Sequence, residues 1–298
     1  MKLSAVIIVK DREKVIERCL ESIKDCDEII VSDTGSTDNT IKLCKKYTDK
    51  VYTDYKWNDD FAEARNHAAS YATGDWIFVI DSDEWLDKNG IKKIRKFIDR
   101  LPEEKKTAQV MADNGLLEYP TPRLYKRNVG IEYHPRFPIH EILNFVDGDV
   151  IASNIKIYAD PKNIKDNPDP DRNLRILKKA LDKYPEEARL LYYLGKEYAS
   201  PVRGMYKDAI ECLTKYLSVS RFRQELEDSY LVMAYCYDQL GMRHEAKIFA
   251  GEAVISNPNN RQAIMFTIEL ADEKHKKRWQ EFLENATDED TIIRLIKK

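Results

Sequence analysis

The sequence predicts an α/β domain with a mostly parallel sheet, followed by an all-α domain built from helical repeats. Short apolar runs alternate with amphipathic helical patterns in the first half, and every segment of the second half has helical spacing. Such alternation is typical of a parallel sheet covered by helices on both faces. We place the boundaries at 1–160 for the α/β domain, 161–171 for a proline-containing linker and 172–298 for the helical domain.

The elements of the first half follow from apolar periodicity. Gly35 permits a sharp turn after the second strand, and Ser36, Thr37 and Asp38 are candidate N-caps for the helix that follows. A last helix, over 90–101, is amphipathic, whereas residues 103–118 are polar and have no clear pattern. Before that helix, we predict strands at 3–9, 28–31, 51–52 and 76–80 and helices at 12–24, 40–46 and 61–71.

The fourth strand runs straight into the acids Asp81, Asp83 and Glu84. Ligands bind at the carboxyl edge of open α/β sheets, and Asp81 and Asp83 would share a side in an extended chain, unless a turn redirects one of them. Two converging carboxylates repel each other unless a cation joins them, and Mg²⁺ combines a few carboxylates with substrate phosphates. The alternative is a helix start over 84–86, capped by Ser82 or Asp83.

Two further polar residues are expected at the same edge. Asp33 ends the second strand, so its carboxylate can accept hydrogen bonds from a ligand, and Arg65 can pair with a phosphate. Taken singly, Asp33 could be a turn residue and Arg65 a solvated helix residue. Three strand ends that converge on one edge are a more specific signal.

Three segments resemble glycosyltransferase family 2, which has the Rossmann-like GT-A fold. They read DTGSTDNT at 33–40, DFAEARN at 60–66 and GDWIFVIDSDE at 74–84. Within the family, the chain is most similar to a bacterial subgroup of lipopolysaccharide-core glucosyltransferases and sublancin-type peptide S-glycosyltransferases. The strong match covers residues 1–90, and a weaker one extends to about 145.

The resemblance implies an inverting transfer from a nucleotide sugar, usually a UDP-sugar, with Mg²⁺ or Mn²⁺. Asp33 would then contact the uracil, Arg65 the base or the phosphates, and Asp81 the sugar or ribose. Asp83 would hold the cation on the diphosphate. A cation and an arginine suit this chemistry because the leaving diphosphate gains charge in the transition state. The residues expected to bind the nucleotide sugar are Val9, Asp33, Arg65, Asp81, Ser82 and Arg123.

An inverting transferase also needs a general base beside the acceptor. Our candidate is Glu141, because the subgroup has a similar Ile/Val-His-Glu segment, and we expect Asp81 to be catalytic with it. Asp147 and Asp149 are the alternatives to Glu141 as the general base. His140 is expected to be a metal ligand, although it could equally donate to a phosphate or be a packed histidine.

Two further points concern the same region. Arg123 and Arg127 could form a phosphate clamp or a basic strand edge. Related enzymes often have a histidine downstream near the metal, but residues 154–158 contain none. The last protein ligand of the cation is therefore open.

The second half has the spacing of tetratricopeptide repeats. Gly195 and Tyr198 belong to one copy, and residues 288–298 resemble a final cap. The repeats could simply buttress the α/β domain, or they could bind a peptide acceptor or a second subunit, as in a homo-oligomer. Small and aromatic residues of a later copy match repeat positions at Ala234, Tyr237, Ala246, Ala250, Ala253 and Pro258.

Composition excludes several classes of protein. A net charge of −3 over 298 residues gives no general attraction for nucleic acid. No apolar run approaches the length of a membrane span, and the first apolar run is too short for a signal peptide. The five scattered cysteines favour free thiols and a cytoplasmic location.

Three functions are compatible with these patterns. The first is a metal-dependent glycosyltransferase that moves glucose or a similar sugar onto a peptide, protein or glycan, including a lipopolysaccharide core. The second is a non-catalytic scaffold that binds a sugar nucleotide, which the intact acids and Arg65 argue against. A nucleotidyltransferase, the third, expects a glycine-rich basic loop after the first strand, where this chain has KDRE at 10–13.

Overall fold

The computed structural model describes residues 1–115, 117–145, 150–160 and 169–286. The chain divides into two compact units, Met1–Arg172 and Asn173–Lys298. The described residues leave out most of the predicted linker, the predicted cap at 288–298 and the two alternative bases, Asp147 and Asp149. The domain boundaries given above therefore stay a prediction. No helix in the described ranges has both the length and the apolar character needed to cross a membrane.

The first unit contains strands and helices in alternation. The first four strands and the first three helices occur where the sequence predicts them, and a second, strand-rich part follows. In chain order the elements are β1 (Leu3–Val9), α1 (Ile16–Ile23), β2 (Glu28–Asp33), α2 (Thr40–Cys44), β3 (Val51–Tyr52), α3 (Phe61–Ser70), β4 (Trp76–Val79), β5 (Glu84–Leu86), α4 (Gly90–Ile98), β6 (Thr107–Asp113), β7 (Glu118–Lys126) and β8 (Val150–Ala159).

These strands form one mixed sheet in the order β3-β2-β1-β4-β7-β6-β8-β5. The half that contains β3, β2, β1 and β4 is parallel, as predicted. In the other half, β7 pairs antiparallel with β4 and β6, β8 pairs parallel with β6, and β5 pairs antiparallel with β8. The parallel half therefore sets the edge at which the predicted site lies.

Helices cover both faces of the sheet. Along β1, Leu3, Ala5 and Ile7 point into a core shared with α1 and α4, whereas Val6 points into a second core shared with α3. This period of two is that of a strand buried on both sides. The first unit thus confirms the α/β class that the sequence predicts.

The acidic run does not start a helix. Residues 84–86 form β5, so the alternative with Ser82 or Asp83 as a helix cap is wrong. The predicted helix over 12–24 begins only at Ile16. The polar region 103–118 contains a strand, β6, that the sequence pattern did not reveal.

The loops after β1 and β2 bind each other through two of the side chains expected to cap α2. Ser36 Oγ accepts a hydrogen bond from the backbone N–H of Asp11, and Asp38 Oδ2 accepts one from Glu13. The N-cap position of α2 is Asn39, whose side chain makes no capping bond. Asp38 Oδ1 also accepts a hydrogen bond from the backbone N–H of Thr40, the first residue of α2, so Asp38 binds the helix start as well as the neighbouring loop.

A buried carboxylate, that of Glu28, connects strands at the amino end of the parallel half of the sheet. Glu28, at the start of β2, accepts hydrogen bonds from Ser4, from the backbone and hydroxyl of Thr73, and from Lys50. Burial opposes its charge, but these donors lower the pKa of Glu28 to about 2. This carboxylate therefore joins β1, β2 and the turn before β4.

The second unit is helical throughout its described part. Packing joins α6 to α7, α8 to both α7 and α9, and α10 to both α9 and α11. Ala234, Ala246, Ala250 and Ala253 are fully buried, as expected for small residues at which helices approach closely. The helices are α5 (Arg172–Lys183), α6 (Ala188–Ala199), α7 (Tyr206–Val219), α8 (Arg223–Gln239), α9 (Arg243–Ser256), α10 (Arg261–Leu270) and α11 (Glu273–Asn285).

Gly195 shows how tight this packing is. A Cβ atom added there would lie 2.6 Å from Cγ of the buried Leu213, whereas a Cβ added at Gly251 would meet nothing within 4 Å. Both glycines lie within helices, α6 and α9 respectively. They form a matched pair for testing the packing.

We predict that Glu28→Gln lowers the free energy of unfolding at pH 7 by about 1–3 kcal/mol, because a neutral amide replaces the carboxylate that these donors satisfy. The folded-state pKa lies below the unfolded value of about 4.3, so the stabilisation is complete above that value and is lost as pH falls toward 2. Urea unfolding of both proteins at several pH values measures this. A difference in stability that is the same at pH 7 and pH 2.5 would contradict the assignment.

We predict opposite effects for the two glycines. Gly195→Ala should lower stability by about 1–3 kcal/mol through overpacking against Leu213. Gly251→Ala should raise it by up to about 1 kcal/mol, because alanine is the better helix former and space is free. Thermal unfolding of the two variants measures both effects. Equal melting temperatures would show that Gly195 is not a packing position.

Candidate active site

The carboxyl ends of three parallel strands lie side by side. Because β2, β1 and β4 are neighbours, Val9, Asp33 and the residues after Val79 meet at one edge of the sheet. The Val9 side chain belongs to the core, and its carbonyl oxygen accepts hydrogen bonds from both the backbone and the hydroxyl of Thr34. The convergence of strand ends that the sequence predicts is thus present, while contact of Val9 with a ligand stays a prediction.

Asp33 is buried, and one of its two carboxylate oxygens accepts hydrogen bonds from the described residues. Its Oδ2 accepts hydrogen bonds from the backbone N–H groups of Gly35 and Ser36, both at 2.9 Å. Gly35 has φ of 108°, a conformation that favours glycine, so the turn that supplies these donors depends on it. Asp33 Oδ1 is buried and has no hydrogen-bond partner among the described residues. One acceptor is therefore left at the sheet edge.

The residues Asp81 to Glu84 form a tight turn between β4 and β5. The backbone N–H of Glu84 donates to the carbonyl oxygen of Asp81 at 3.0 Å. Asp81 and Asp83 therefore do not share one side of an extended strand, because the turn comes between them. Ser82 is buried, and its contact with the nucleotide sugar stays a prediction.

Arg65 connects α3 to this turn. Helix α3 begins after Asp60, whose side chain caps it by accepting from the Glu63 N–H at 2.8 Å. Arg65 Nη2 donates to Asp81 Oδ1 at 2.7 Å, and its Nε donates to Glu141 Oε1 at 2.8 Å. The buried Arg65 Nη1 has no partner among the described residues.

Arg123 reaches the same turn because β7 is irregular. Ala108 pairs with Leu124 and Gln109 pairs with Pro122, so Arg123 is an extra residue in β7, a β-bulge. Bulges re-aim side chains next to active sites. Here Arg123 Nη2 donates to Asp81 Oδ2 at 2.8 Å and to Glu84 Oε1 at 2.9 Å.

Arg127 does not join Arg123 in a clamp. Its Nε donates to the carbonyl oxygen of Gly74, at the start of β4 and thus at the end opposite Asp81. The predicted two-arginine clamp is therefore wrong. Arg123 is largely buried with carboxylates around it, and its Nε has no partner in the described ranges. Binding of the nucleotide sugar by Arg123 stays a prediction.

The two arginines compensate the acids unequally. Burial opposes the charge on Asp81, but Arg123 and Arg65 hold its pKa well below the usual range. Burial raises the pKa of Glu84 to about 7, with Arg123 acting against it and Asp81 adding to it. Burial and then the charge of Asp81 raise the pKa of Asp83. Carboxylates outnumber the guanidinium groups in this cluster.

A loop brings Glu141 into the cluster. The loop is fixed to the start of α3, where the backbone N–H of Phe61 donates to the Pro138 carbonyl oxygen at 2.8 Å. Glu141 is largely buried and bound to Arg65, whereas its neighbour His140 is exposed and has φ of 55°. The structure thus places Glu141 beside the partner of Asp81.

Sequence reasoning did not assign a role to Glu84 or Asn66. Asn66 follows Arg65, and its side chain bonds to both the N–H and the C=O of Tyr133 at 2.8 Å. The Tyr133 ring lies 5.5 Å from the Arg65 guanidinium. Both missed residues stand inside the recognised motifs, so the available signal was their direct adjacency to the predicted site residues.

The described residues do not contain a group of three or more His, Cys, Asp or Glu side chains arranged to hold a metal ion. Mg²⁺ at a diphosphate site takes only one or two protein carboxylates and fills its shell with phosphate oxygens and water. Unlike Asp81 and Glu84, Asp83 makes no ion pair with Arg123, and burial and then the charge of Asp81 raise its pKa. The residues present therefore fit a cation that is bound together with a diphosphate.

The chain matches known proteins along the part that carries this site. Residues 4–115 match the family model described as glycosyl transferase family 2. The glycosyltransferase SunS of the SPbeta prophage in Bacillus subtilis is 32% identical over 210 residues, which cover 64% of this chain and 48% of SunS. A TPR repeat-containing protein of Synechococcus elongatus is 32% identical over 220 residues, 65% of this chain and 51% of the relative.

A shorter match is to a further bacterial glycosyltransferase. The lipopolysaccharide core biosynthesis glycosyltransferase LpsC of Rhizobium meliloti is 36% identical over 91 residues, 30% of this chain and 34% of LpsC. The chain spans about half the length of the longer-matching curated relatives, or less. The family model's match at 4–115 includes the motifs at 33–40, 60–66 and 74–84. Residues 4–115 therefore match glycosyl transferase family 2, and the helices of the second half begin after them at Arg172.

Proposed function

We propose that this chain is an inverting glycosyltransferase that moves a sugar such as glucose from a UDP-sugar to an acceptor. The observation that carries the proposal is the cluster of Asp33, Arg65, Asp81 and Asp83 at one sheet edge of a glycosyltransferase family 2 domain. The buried Asp33 Oδ1 supports recognition of a base, because the N–H of a uracil would supply its missing donor.

The remaining residues have roles along the donor. Arg65 Nη1, which is buried without a described partner, would donate to a phosphate oxygen, and Asp81 would lie toward the ribose or sugar. Asp83 would hold Mg²⁺ or Mn²⁺, and His140 is a second candidate ligand. When bound, the cation would neutralise charge that builds on the leaving diphosphate.

Glu141 is the proposed general base. In the transfer, the acceptor oxygen or sulfur bonds to the anomeric carbon, and the bond from that carbon to the diphosphate oxygen breaks, with its electrons leaving on UDP. The acceptor proton passes to the Glu141 carboxylate. The contact between Glu141 and Arg65 supports this role, because it holds the carboxylate beside the groups proposed to bind the donor.

We further propose a polypeptide as the acceptor. The helical unit and the repeat-containing relative favour it, because stacked helical pairs offer an extended surface for a peptide. A glycan acceptor, as in lipopolysaccharide core synthesis, is the alternative that the relative LpsC favours. A homo-oligomer through the repeats and a cytoplasmic location stay predictions.

We predict that one UDP-sugar raises the melting temperature only when Mn²⁺ or Mg²⁺ is present. A ligand that binds the folded state alone stabilises it by mass action, by about 2.7 kcal/mol at a concentration 100 times its dissociation constant. Thermal unfolding with UDP-, GDP-, dTDP- and CMP-sugars, each with and without the cation, measures this. A shift with a GDP- or CMP-sugar alone would contradict the assignment of Asp33 to uracil.

We predict that Asp83→Asn lowers transfer, or hydrolysis of the donor, by about 100-fold or more while the fold survives. The reason is the loss of the carboxylate that would hold the cation. The matched control is Asp87→Asn, which changes an acid a few residues further along the chain that pairs with Lys93. Full activity in Asp83→Asn would refute the metal site, and binding of UDP-sugar by an inactive wild type would favour the scaffold.

A further inference from the structure

Two hydrogen bonds between Asp81 and Glu84 close the turn that carries Asp81 and Asp83. The backbone of Glu84 donates to the carbonyl oxygen of Asp81, and the side chain of Glu84 reaches back, so that its Oε2 accepts from the Asp81 N–H at 2.8 Å. Glu84 is only 7% exposed. Main chain and side chain of one residue thus hold both ends of the same turn.

Arg123 extends this closure across the sheet. A single nitrogen, Nη2, bridges Asp81 Oδ2 and Glu84 Oε1, and it can do so because the bulge in β7 makes Arg123 an extra residue. Arg65 holds the other oxygen of Asp81. The Asp81 carboxylate is therefore fixed from both sides, and Glu84 is the residue that couples its backbone to Arg123.

We infer that Glu84 and Arg123 are positioning residues, which fix the turn so that Asp83 is presented to the cation and the donor diphosphate. The inference rests on the proposed function. In it, Glu84 acts through the turn, and Arg123 acts through its contacts with Asp81 and Glu84. Partners that orient the groups of a metal site typically change metal affinity or activity by about 10–100-fold when they are removed.

The experiment uses the full chain and the UDP-sugar identified by thermal unfolding. Glu84→Ala removes both acceptors, Glu84→Gln keeps one oxygen, and Arg123→Lys keeps the charge but loses the planar fork. For each variant, donor hydrolysis or transfer gives kcat, the KM for the donor and the Mn²⁺ concentration at half-maximal rate, and thermal unfolding gives the melting temperature.

We expect Glu84→Ala to raise the half-maximal Mn²⁺ concentration and lower kcat, each by about tenfold or more, with Glu84→Gln in between. Arg123→Lys combined with Glu84→Ala should be little worse than the worse single variant, because the two residues act as one unit. Glu28→Ala is the matched control, since it removes another buried carboxylate of the same domain and lowers the melting temperature. It should leave the half-maximal Mn²⁺ concentration unchanged.

The outcomes distinguish failure of the positioning role from failure of the proposed function. An active wild type in which the Glu84 variants lose only melting temperature, as Glu28→Ala does, would overturn the positioning role and leave the proposed function intact. A wild type without hydrolysis or transfer of any sugar nucleotide would overturn the proposed function and the inference with it. Glu84→Gln tests the role even if Glu84→Ala fails to fold.

Discussion

The arrangement of the first unit depends on one charge, the partly exposed Asp81 carboxylate, and on the two largely buried guanidinium groups that bind it. A buried guanidinium group without a compensating charge is costly, so both arginines need a carboxylate partner. Arg65 comes from α3, Arg123 from the bulge of β7, and Glu141 from a loop that binds the other side of Arg65. A helix, a strand and a loop that are distant in sequence must therefore meet at the end of β4, because each supplies part of the compensation.

The two ends of the parallel strands handle their carboxylates differently. Donors surround Glu28 at the amino end, which suits a purely structural role. At the carboxyl end, Asp33, Arg65 and Arg123 each keep one buried polar atom without a partner among the described residues. An unsatisfied buried group costs about 1–3 kcal/mol, and a ligand that supplies the missing partner recovers it. Two of the side chains proposed to bind the donor, Asp33 and Arg65, thus each offer it a buried polar atom.

Local patterns predicted the parallel half because its strands are apolar on both faces, as in Leu3–Val9 and Trp76–Val79, and because acids mark where they end. The same reasoning missed β6, whose residues Thr107–Asp113 mix polar and apolar side chains. It could not find the bulge at Arg123 either, because the register of β7 is set by its neighbours β4 and β6 and not by its own sequence. The role of Glu84 depends on a side chain that turns back onto its own turn, which no periodicity reports.

The bulge also limits how this hairpin can vary in length. Side chains of a strand alternate between the two faces, so a shift of one residue exchanges inside for outside. A β7 shortened by one residue would form a more regular ladder with β6 but would turn its arginine away from Asp81. An insertion or deletion in a paired strand of this hairpin would therefore shift Arg123 relative to Asp81. The bulge at Arg123 thus sets the position of this arginine relative to Asp81 in the acidic turn.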